Sequence, residues 1–424
     1  MTSIQSVLAA FLIILIDLLG RAGLDKVLAI SGGPSLVALW AQLQSVVELV
    51  GAVATAGVLQ GLTVLIAQTE ASHEAHGLLR NALKLGLVTS LAAALVVAST
   101  SAELAVWLTQ NKIAASLFQL AALVGWIAVV PATLNAYWLG KHQQQRMLKL
   151  ALLTSSILLL VAASAWFRMP LRGLVWVQVL ATAALAGVVW QYMRSLSGIR
   201  GSSADEARHF RKLVRFVPVG LAIGIMSPVS MLLVRSMLSG TLSWSDVGFF
   251  QALWRSTEWV TATAAGVLSL IFLPRFSSTY GSAKFRMEML RAGTMVLIPA
   301  ACLLLLIFIN QRSMLAALYD ARFVVSDQTA GLFLLGCWIR IAAWLFLFGL
   351  FSAHRTGLII AGEVLSLPLY ALLLWVFADG MTLERGALLY LASYLAYLVF
   401  SAASLLYSCR NVISVSSGEG YRAP

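Results

Sequence analysis

The sequence predicts an all-α polytopic membrane protein, with twelve transmembrane helices in two six-helix lobes around a central cavity. Three observations lead there. Of the 424 residues only 11% are charged and 60% are apolar, a balance that soluble domains do not show. Apolar runs of about 18 residues or more recur along the chain, each long enough to cross a ~30 Å hydrocarbon core. Lys and Arg gather in alternate short loops. A soluble protein with a large apolar core is excluded by the recurring runs. The net charge of +12 does not point to nucleic acid, because loop cations of this kind set topology and touch anionic headgroups.

The helices are expected at approximately 5–30, 37–67, 80–101, 112–137, 147–166, 172–193, 213–238, 246–273, 288–310, 327–352, 356–378 and 387–409. Ser3 to Leu19 is apolar but lacks the basic region and cleavage site of a signal peptide. Inner loops carry Arg80, Lys84, Lys141, Arg146, Arg194, Arg200, Arg208 and Lys212, with more after Pro274, where a stop and the basic anchor Arg275 end the eighth helix. Outer loops carry Lys112, Arg168, Arg172, Arg312, Arg322 and Arg385. A ratio of roughly three to one places both termini in the cytoplasm.

The one long polar connection, within 194–212, separates an N-terminal lobe (1–193) from a C-terminal lobe (213–410), and a polar, disordered cytoplasmic tail is expected over 411–424. A shift of about 209 residues lays Gly57-Val58-Leu59 on Gly266-Val267-Leu268, Gln42 on Gln251 and Lys26 on Arg235. It also brings Glu48 to within one residue of Glu258. Such a match describes two parallel repeats related by an axis along the membrane normal.

Charged residues inside apolar helices mark candidate sites, because they are costly unless they face protein or water. On the eighth helix Gln251, Arg255 and Glu258 share a sector of about 60°. The first helix carries Asp17, Arg21 and Asp25 at i, i+4 and i+8, then Lys26. An intrahelical salt-bridge stripe with a snorkelling lysine is the bland reading of Asp25 and Lys26, whereas Asp17 and Arg21 lie deeper and suit a cavity wall. The second helix adds Gln44 and Glu48, and the seventh adds Arg235 with Pro218 and Pro228, which predict a kinked or broken rod. The tenth adds Arg340 and the eleventh Glu363. Lys26, Arg21, Arg235, Arg255 and Arg340 would make the cavity cationic, suited to a phosphate or pyrophosphate that Arg grips bidentately. Asp17, Glu48, Glu258 and Glu363 would balance that charge in the empty site or take up protons.

No catalytic constellation, metal-ligand spacing or phosphate-cradling glycine loop occurs, so neither enzymatic chemistry, a metal nor a cofactor is expected. The five histidines fall in predicted cytoplasmic loops, and Cys302, Cys337 and Cys409 lie in or at the ends of apolar segments.

The segment KVLAISGGPSLVALWAQLQSVVELVGAVATAGVLQGLTVLIAQ (26–68) and the block SWSDVGFFQALWRSTE (243–258) resemble Wzx-type flippases, a branch of the multidrug/oligosaccharidyl-lipid/polysaccharide exporter superfamily. So do LIIAGEVLSLPLYALLLWVF (358–377) and LYLASYLAYLVFSAASLLY (389–407). The resemblance implies alternating access in the bacterial inner membrane and an undecaprenyl-pyrophosphate-linked oligosaccharide as substrate. It implies membrane lipids, a polysaccharide polymerase and a chain-length regulator as partners, and no nucleic acid. Family basic positions correspond to Lys26, Arg235 and Arg340, and acidic positions to Glu258 and Glu363. Gln44 and Val64 stand where basic residues are expected, while Asp17, Arg21 and Arg255 are additional. A cation-coupled small-molecule exporter remains the rival within the fold. A membrane polymerase or ligase would need a larger periplasmic loop than Gln311–Ser326.

Overall fold

The computed structural model describes residues 3–55, 57–69, 72–196, 210–211, 213–214, 217–353 and 355–418. Regular structure among them is helical throughout. Most of the expected linker and the last residues of the tail lie outside these ranges, as do His209 and His354.

Helix α1 covers Ser3–Thr55, yet it contains Gly33 at φ 71° and ψ −167°, followed by Pro34. Arg21 Nη1 stands 3.8 Å from Glu48 Oε1, although a straight helix would separate these residues by about 40 Å. The chain therefore folds back at Gly33, and α1 is an antiparallel hairpin. Glycine is needed there because that φ is poorly available to other residues. A second glycine at positive φ, Gly57 (71°), parts α1 from α2 (Val58–Ala67).

Then follow α3 (Ser72–Ser99), α4 (Ser101–Thr109), α5 (Ala115–Ile127), α6 (Val129–Gly140), α7 (Gln144–Trp166), α8 (Leu171–Leu196) and α9 (Val217–Thr241). Close approach is secured by small residues. A Cβ on Gly125 of α5 would meet the Val47 carbonyl at 2.8 Å, and one on Gly140 of α6 would meet that of Thr63 at 2.8 Å.

The region opening with Ser243 is α10 (Trp244–Val267), a π segment over Leu268–Phe272, and α11 (Leu273–Thr279). Ser243 caps it: its Oγ accepts from the Asp246 amide while Asp246 accepts from the Ser243 amide, a reciprocal box that satisfies two otherwise orphaned donors. The sequence expectation of a stop at Pro274 is corrected here. Pro274 sits in the first turn of α11, where its missing N–H costs nothing, and the π segment before it absorbs the change of register. Arg275 reaches Glu288 at 3.8 Å and lies over Phe272.

The chain closes with α12 (Ala283–Ile309), α13 (Gln311–Leu318), α14 (Asp327–Ser352), α15 (Thr356–Val364), α16 (Leu367–Val376) and α17 (Leu383–Gly418). The eleventh expected helix is thus two pieces, broken at Leu365-Ser366, because Pro368 has no N–H to offer the Val364 carbonyl four residues back and its ring would clash with it. In the seventh, Pro228 lies inside a helix that runs unbroken from Val217 to Thr241, with Pro218 as its second residue. A first-turn proline starts a helix rather than breaking it. The segment after Arg410, read as disordered, continues α17 as far as Gly418, there being no proline or glycine in 411–417 to end it.

Among the described residues ten helical stretches are long and apolar enough to cross a membrane. One of them, Leu15–Thr55, holds the greater part of the first two expected helices, the end of the second being the separate α2, and α9 is not among the ten. The chain is a multi-pass membrane protein. By contacts it divides into a first unit of Met1–Gly240 with Leu318–Arg322, and a second of Thr241–Ala317 with Phe323–Pro424. Helix α9 groups with the first unit. Arg235 donates to the Ala41 carbonyl (3.1 Å) and Ser45 Oγ (2.7 Å), and Gln42 donates to the Leu232 carbonyl (3.2 Å).

Candidate functional site

In the first unit the α1 hairpin assembles three charges. Arg21 Nε donates to Asp17 Oδ2 at 2.9 Å, one helical turn away, and its Nη1 faces Glu48 on the returning arm. The side chains are 39%, 48% and 55% exposed for Arg21, Asp17 and Glu48. Counted from the turn at Gly33, Arg21 lies about 18 Å and Glu48 about 22 Å along the helix axis. That depth passes the middle of a ~30 Å core. A half-open ion pair contributes only about 0–1 kcal/mol, whereas each charge at such depth costs ~2.5–3.5 kcal/mol on insertion scales. The ion pairs alone do not offset that cost, and about half of each side chain is left uncovered by the protein.

Nearer the turn, Asp25 is buried and Lys26 partly buried, and both are engaged in polar or electrostatic interactions. Arg235 is 4% exposed and its guanidinium ties α9 to α1. On the returning arm of α1, Gln44 exchanges two 3.0 Å hydrogen bonds with Gln178 of α8, which satisfies both amides inside the apolar interior.

In the second unit Arg255 and Glu258, three residues apart on α10, pair at 2.6 Å and are both partly buried. Gln251, on the same helix face, is buried. Arg340 lies on α14 with its guanidinium 4.9 Å from the Trp254 ring, 4.7 Å from Trp344 and 5.6 Å from Tyr394. A planar cation between aromatic faces is held by ring quadrupoles, and the cage belongs to a larger cluster in which Phe333 stacks on Tyr390 at 4.6 Å. Glu363, at the end of α15 beside the helix break, accepts from Tyr397 Oη at 3.2 Å. The Ser366 hydroxyl turns back to the Glu363 carbonyl at 2.6 Å, so this backbone is satisfied locally where the helix is interrupted.

Of the residues singled out from sequence, Asp17, Arg21 and Glu48 come together, and so do Arg255 and Glu258. Arg340 and Glu363 share one aromatic cluster. Arg235 and Gln251 sit in close-packed helix faces. The tyrosines were not anticipated, although Tyr390, Tyr394 and Tyr397 at i, i+4 and i+7 form a readable stripe on α17. Gln178 and Arg322 were likewise missed. No group of His, Cys, Asp or Glu among the described residues has the geometry of a metal site.

No protein-family model matches the chain. It is 23% identical over 392 residues, covering 88% of its length and 90% of the relative's, to the lipid III flippase of Escherichia coli (strain K12), with the same figures for that of Shigella flexneri. Among solved structures it is similar to the lipid II flippase MurJ in an inward closed conformation, with a TM-score of 0.66 and 11% identity over 99% of this chain and 94% of that one. It is similar also to an inward-facing multidrug resistance MATE family transporter of the MOP superfamily, with a TM-score of 0.65 and 11% identity over 96% of both. The chain therefore shares its fold with the MATE family transporter of the MOP superfamily and with the lipid II flippase, and it is similar to the lipid III flippases over most of its length.

Proposed function

We propose that this protein is a flippase. It would carry an undecaprenyl-pyrophosphate-linked oligosaccharide repeat unit, of O-antigen, enterobacterial common antigen or exopolysaccharide type, from the cytoplasmic to the periplasmic leaflet of a bacterial inner membrane. Twelve helices in two six-helix lobes, with both termini cytoplasmic, rock about a central cavity in alternating access. The antiparallel fold of α1 supports counting it as two of the twelve. The helix is distorted at Gly57 and again from Leu268, two residues past the Gly266 that the 209-residue shift lays on Gly57, which supports the repeat.

The observation that carries the reading is the half-open Asp17–Arg21–Glu48 cluster within the apolar stretch Leu15–Thr55. Arg21 is tied up by two carboxylates there, and a pyrophosphate is the ligand able to take it from them with two charge-assisted hydrogen bonds. Arg255 stands in the same relation to Glu258 and Lys26 adds a further cation, whereas Arg235 and Gln251 are buried against neighbouring helices, Arg340 is packed among aromatic rings, and these three would act by holding the wall in shape. Glu363, beside a broken helix, is the candidate for charge balance or proton coupling. The lipid tail stays in the bilayer. A polysaccharide polymerase and a chain-length regulator are the expected partners downstream.

A cation-coupled exporter of small molecules is the second reading, favoured by the two half-exposed carboxylates beside Arg21 and by the MATE-like fold. Proteoliposomes of the purified protein separate the two. The proposal expects translocation of a fluorescent polyprenyl-pyrophosphate sugar, with Arg21→Ala and Arg255→Ala losing it at unchanged protein level. Transport of small organic cations, with no movement of any such lipid, would overturn it.

A further inference from the structure

A cleft of about 220 Å³ lies between the opening turns of α3 and the last turns of α8. It is wholly inside the first unit and shares no lining residue with the Asp17–Arg21–Glu48 cluster. Leu79, Leu83 and Leu87 recur every fourth residue and form one apolar row along about 12 Å of α3. Arg80 and Lys84 form a basic row beside it, and Arg194 completes the rim from α8 with its guanidinium 5.3 Å from the Trp190 ring. The membrane-crossing stretches begin at Glu74 and end at Ser195. The cleft therefore starts at headgroup level and runs into the hydrocarbon, where tryptophan is at home at the boundary.

An apolar slot flanked by three cations at that level is complementary to a molecule with an anionic phosphate and an acyl tail. A free phosphate would leave the leucine row unused, and a zwitterionic headgroup would place its own cation among the arginines. We propose that this cleft is a binding site for an anionic phospholipid. Arg80, Lys84 and Arg194 hold the phosphate, and one acyl chain lies along Leu79, Leu83 and Leu87. Under the topology proposed above the lipid comes from the cytoplasmic leaflet, but the site does not depend on which molecule the protein transports.

Native mass spectrometry of the full-length protein, titrated with phosphatidylglycerol, tests this. One phosphatidylglycerol should be retained. The Arg80→Gln/Lys84→Gln/Arg194→Gln variant should bind it about a hundredfold more weakly, at ~1 kcal/mol for each surface cation. Removing equal charge at exposed Lys284, Arg286 and Arg355 should leave that site intact. Leu87→Trp, which fills the slot without touching the cations, should also weaken retention. Equal losses in both triple variants would mean a diffuse surface field and overturn the proposal. So would displacement by phosphatidylcholine or inorganic phosphate at similar concentration, or retention of undecaprenyl pyrophosphate in preference to the phospholipid.

Discussion

Arg322 reaches across 293 positions of sequence to donate from Nη2 to the carbonyl of Ala29 at 2.7 Å. Its Nε is held by Asp320 Oδ2 at 2.6 Å, and its Nη1 would stand 3.2 Å from a Cβ built on Gly33. One side chain thus ties a late loop to the turn of the α1 hairpin, and Nη2 also donates at 3.3 Å to the carbonyl of Ile30, which Pro34 has no N–H to serve.

The clamp is expected to weaken in acid. The hydrogen bond from Arg322 holds the Asp320 carboxyl below the usual aspartate range. A depressed carboxylate stabilises the folded arrangement at pH above its unfolded value, and that contribution is lost as pH falls through the folded one. Hydrogen exchange at residues 29–33 should therefore rise below about pH 4, and Asp320→Asn should show the same faster exchange already at pH 7. Protection that stays constant from pH 7 to pH 3 in both proteins would refute the clamp.

Two glycines give opposite forecasts. A Cβ on Gly336 would lie 2.6 Å from Tyr390 Cδ1 and 3.3 Å from Leu391 Cα, whereas one on Gly23 meets nothing within 4 Å. Gly336→Ala should cost about 1–3 kcal/mol through overpacking. Gly23→Ala should stabilise by about 0.4–1 kcal/mol, since alanine loses less chain entropy in a helix. Thermal unfolding of the purified variants in one detergent compares them directly.

Arg340 tests what its aromatic cage requires. Lysine keeps the charge but lacks the flat guanidinium that lies against Trp254, Trp344 and Tyr394. Arg340→Lys is expected to lower stability by about 0.5–2 kcal/mol, and Trp254→Ala to remove most of the difference between Arg and Lys at position 340. A double-mutant cycle by thermal unfolding gives the coupling. Additive effects would place the guanidinium's contribution elsewhere.

How much of this was legible beforehand depends on the kind of signal. Apolar length and loop cations are local properties, so the expected helices at 327–352, 356–378 and 387–409 lie close to the observed stretches. Gly-Pro at 33–34 was visible as a punctuation mark, and it is where α1 turns. The break before Pro368 was equally readable from SLP but was overlooked inside a long apolar run. Partners distant in sequence were not legible. Nothing in a single chain tells that Gln44 meets Gln178, or that Arg322 returns to Ala29, because apolar helices carry little information about which neighbour they face. Asp17, Arg21, Glu48, Arg255 and Glu258 were legible as residues, Gln178 and the tyrosines were not, and the pairings of all of them required coordinates.

The Arg21–Glu48 pair yields the sharpest discrimination between support of the fold and handling of a ligand. At 3.8 Å and half exposed, it contributes about 0–1 kcal/mol, so Arg21→Ala should leave thermal stability nearly unchanged. If Arg21 must leave Glu48 to take up a pyrophosphate, transport should fall by at least tenfold in that same variant. The charge-exchanged protein Arg21→Glu/Glu48→Arg should recover part of it, because the cation returns to the opposite arm of one hairpin at similar depth. Glu48→Gln alone leaves Arg21 still paired with the Asp17 carboxylate and should bind substrate more tightly while turning over more slowly, since one competitor needed for release has gone. Unchanged transport in Arg21→Ala, measured in proteoliposomes at matched protein content, would remove the cluster from the transport path and leave Arg255 as the better candidate.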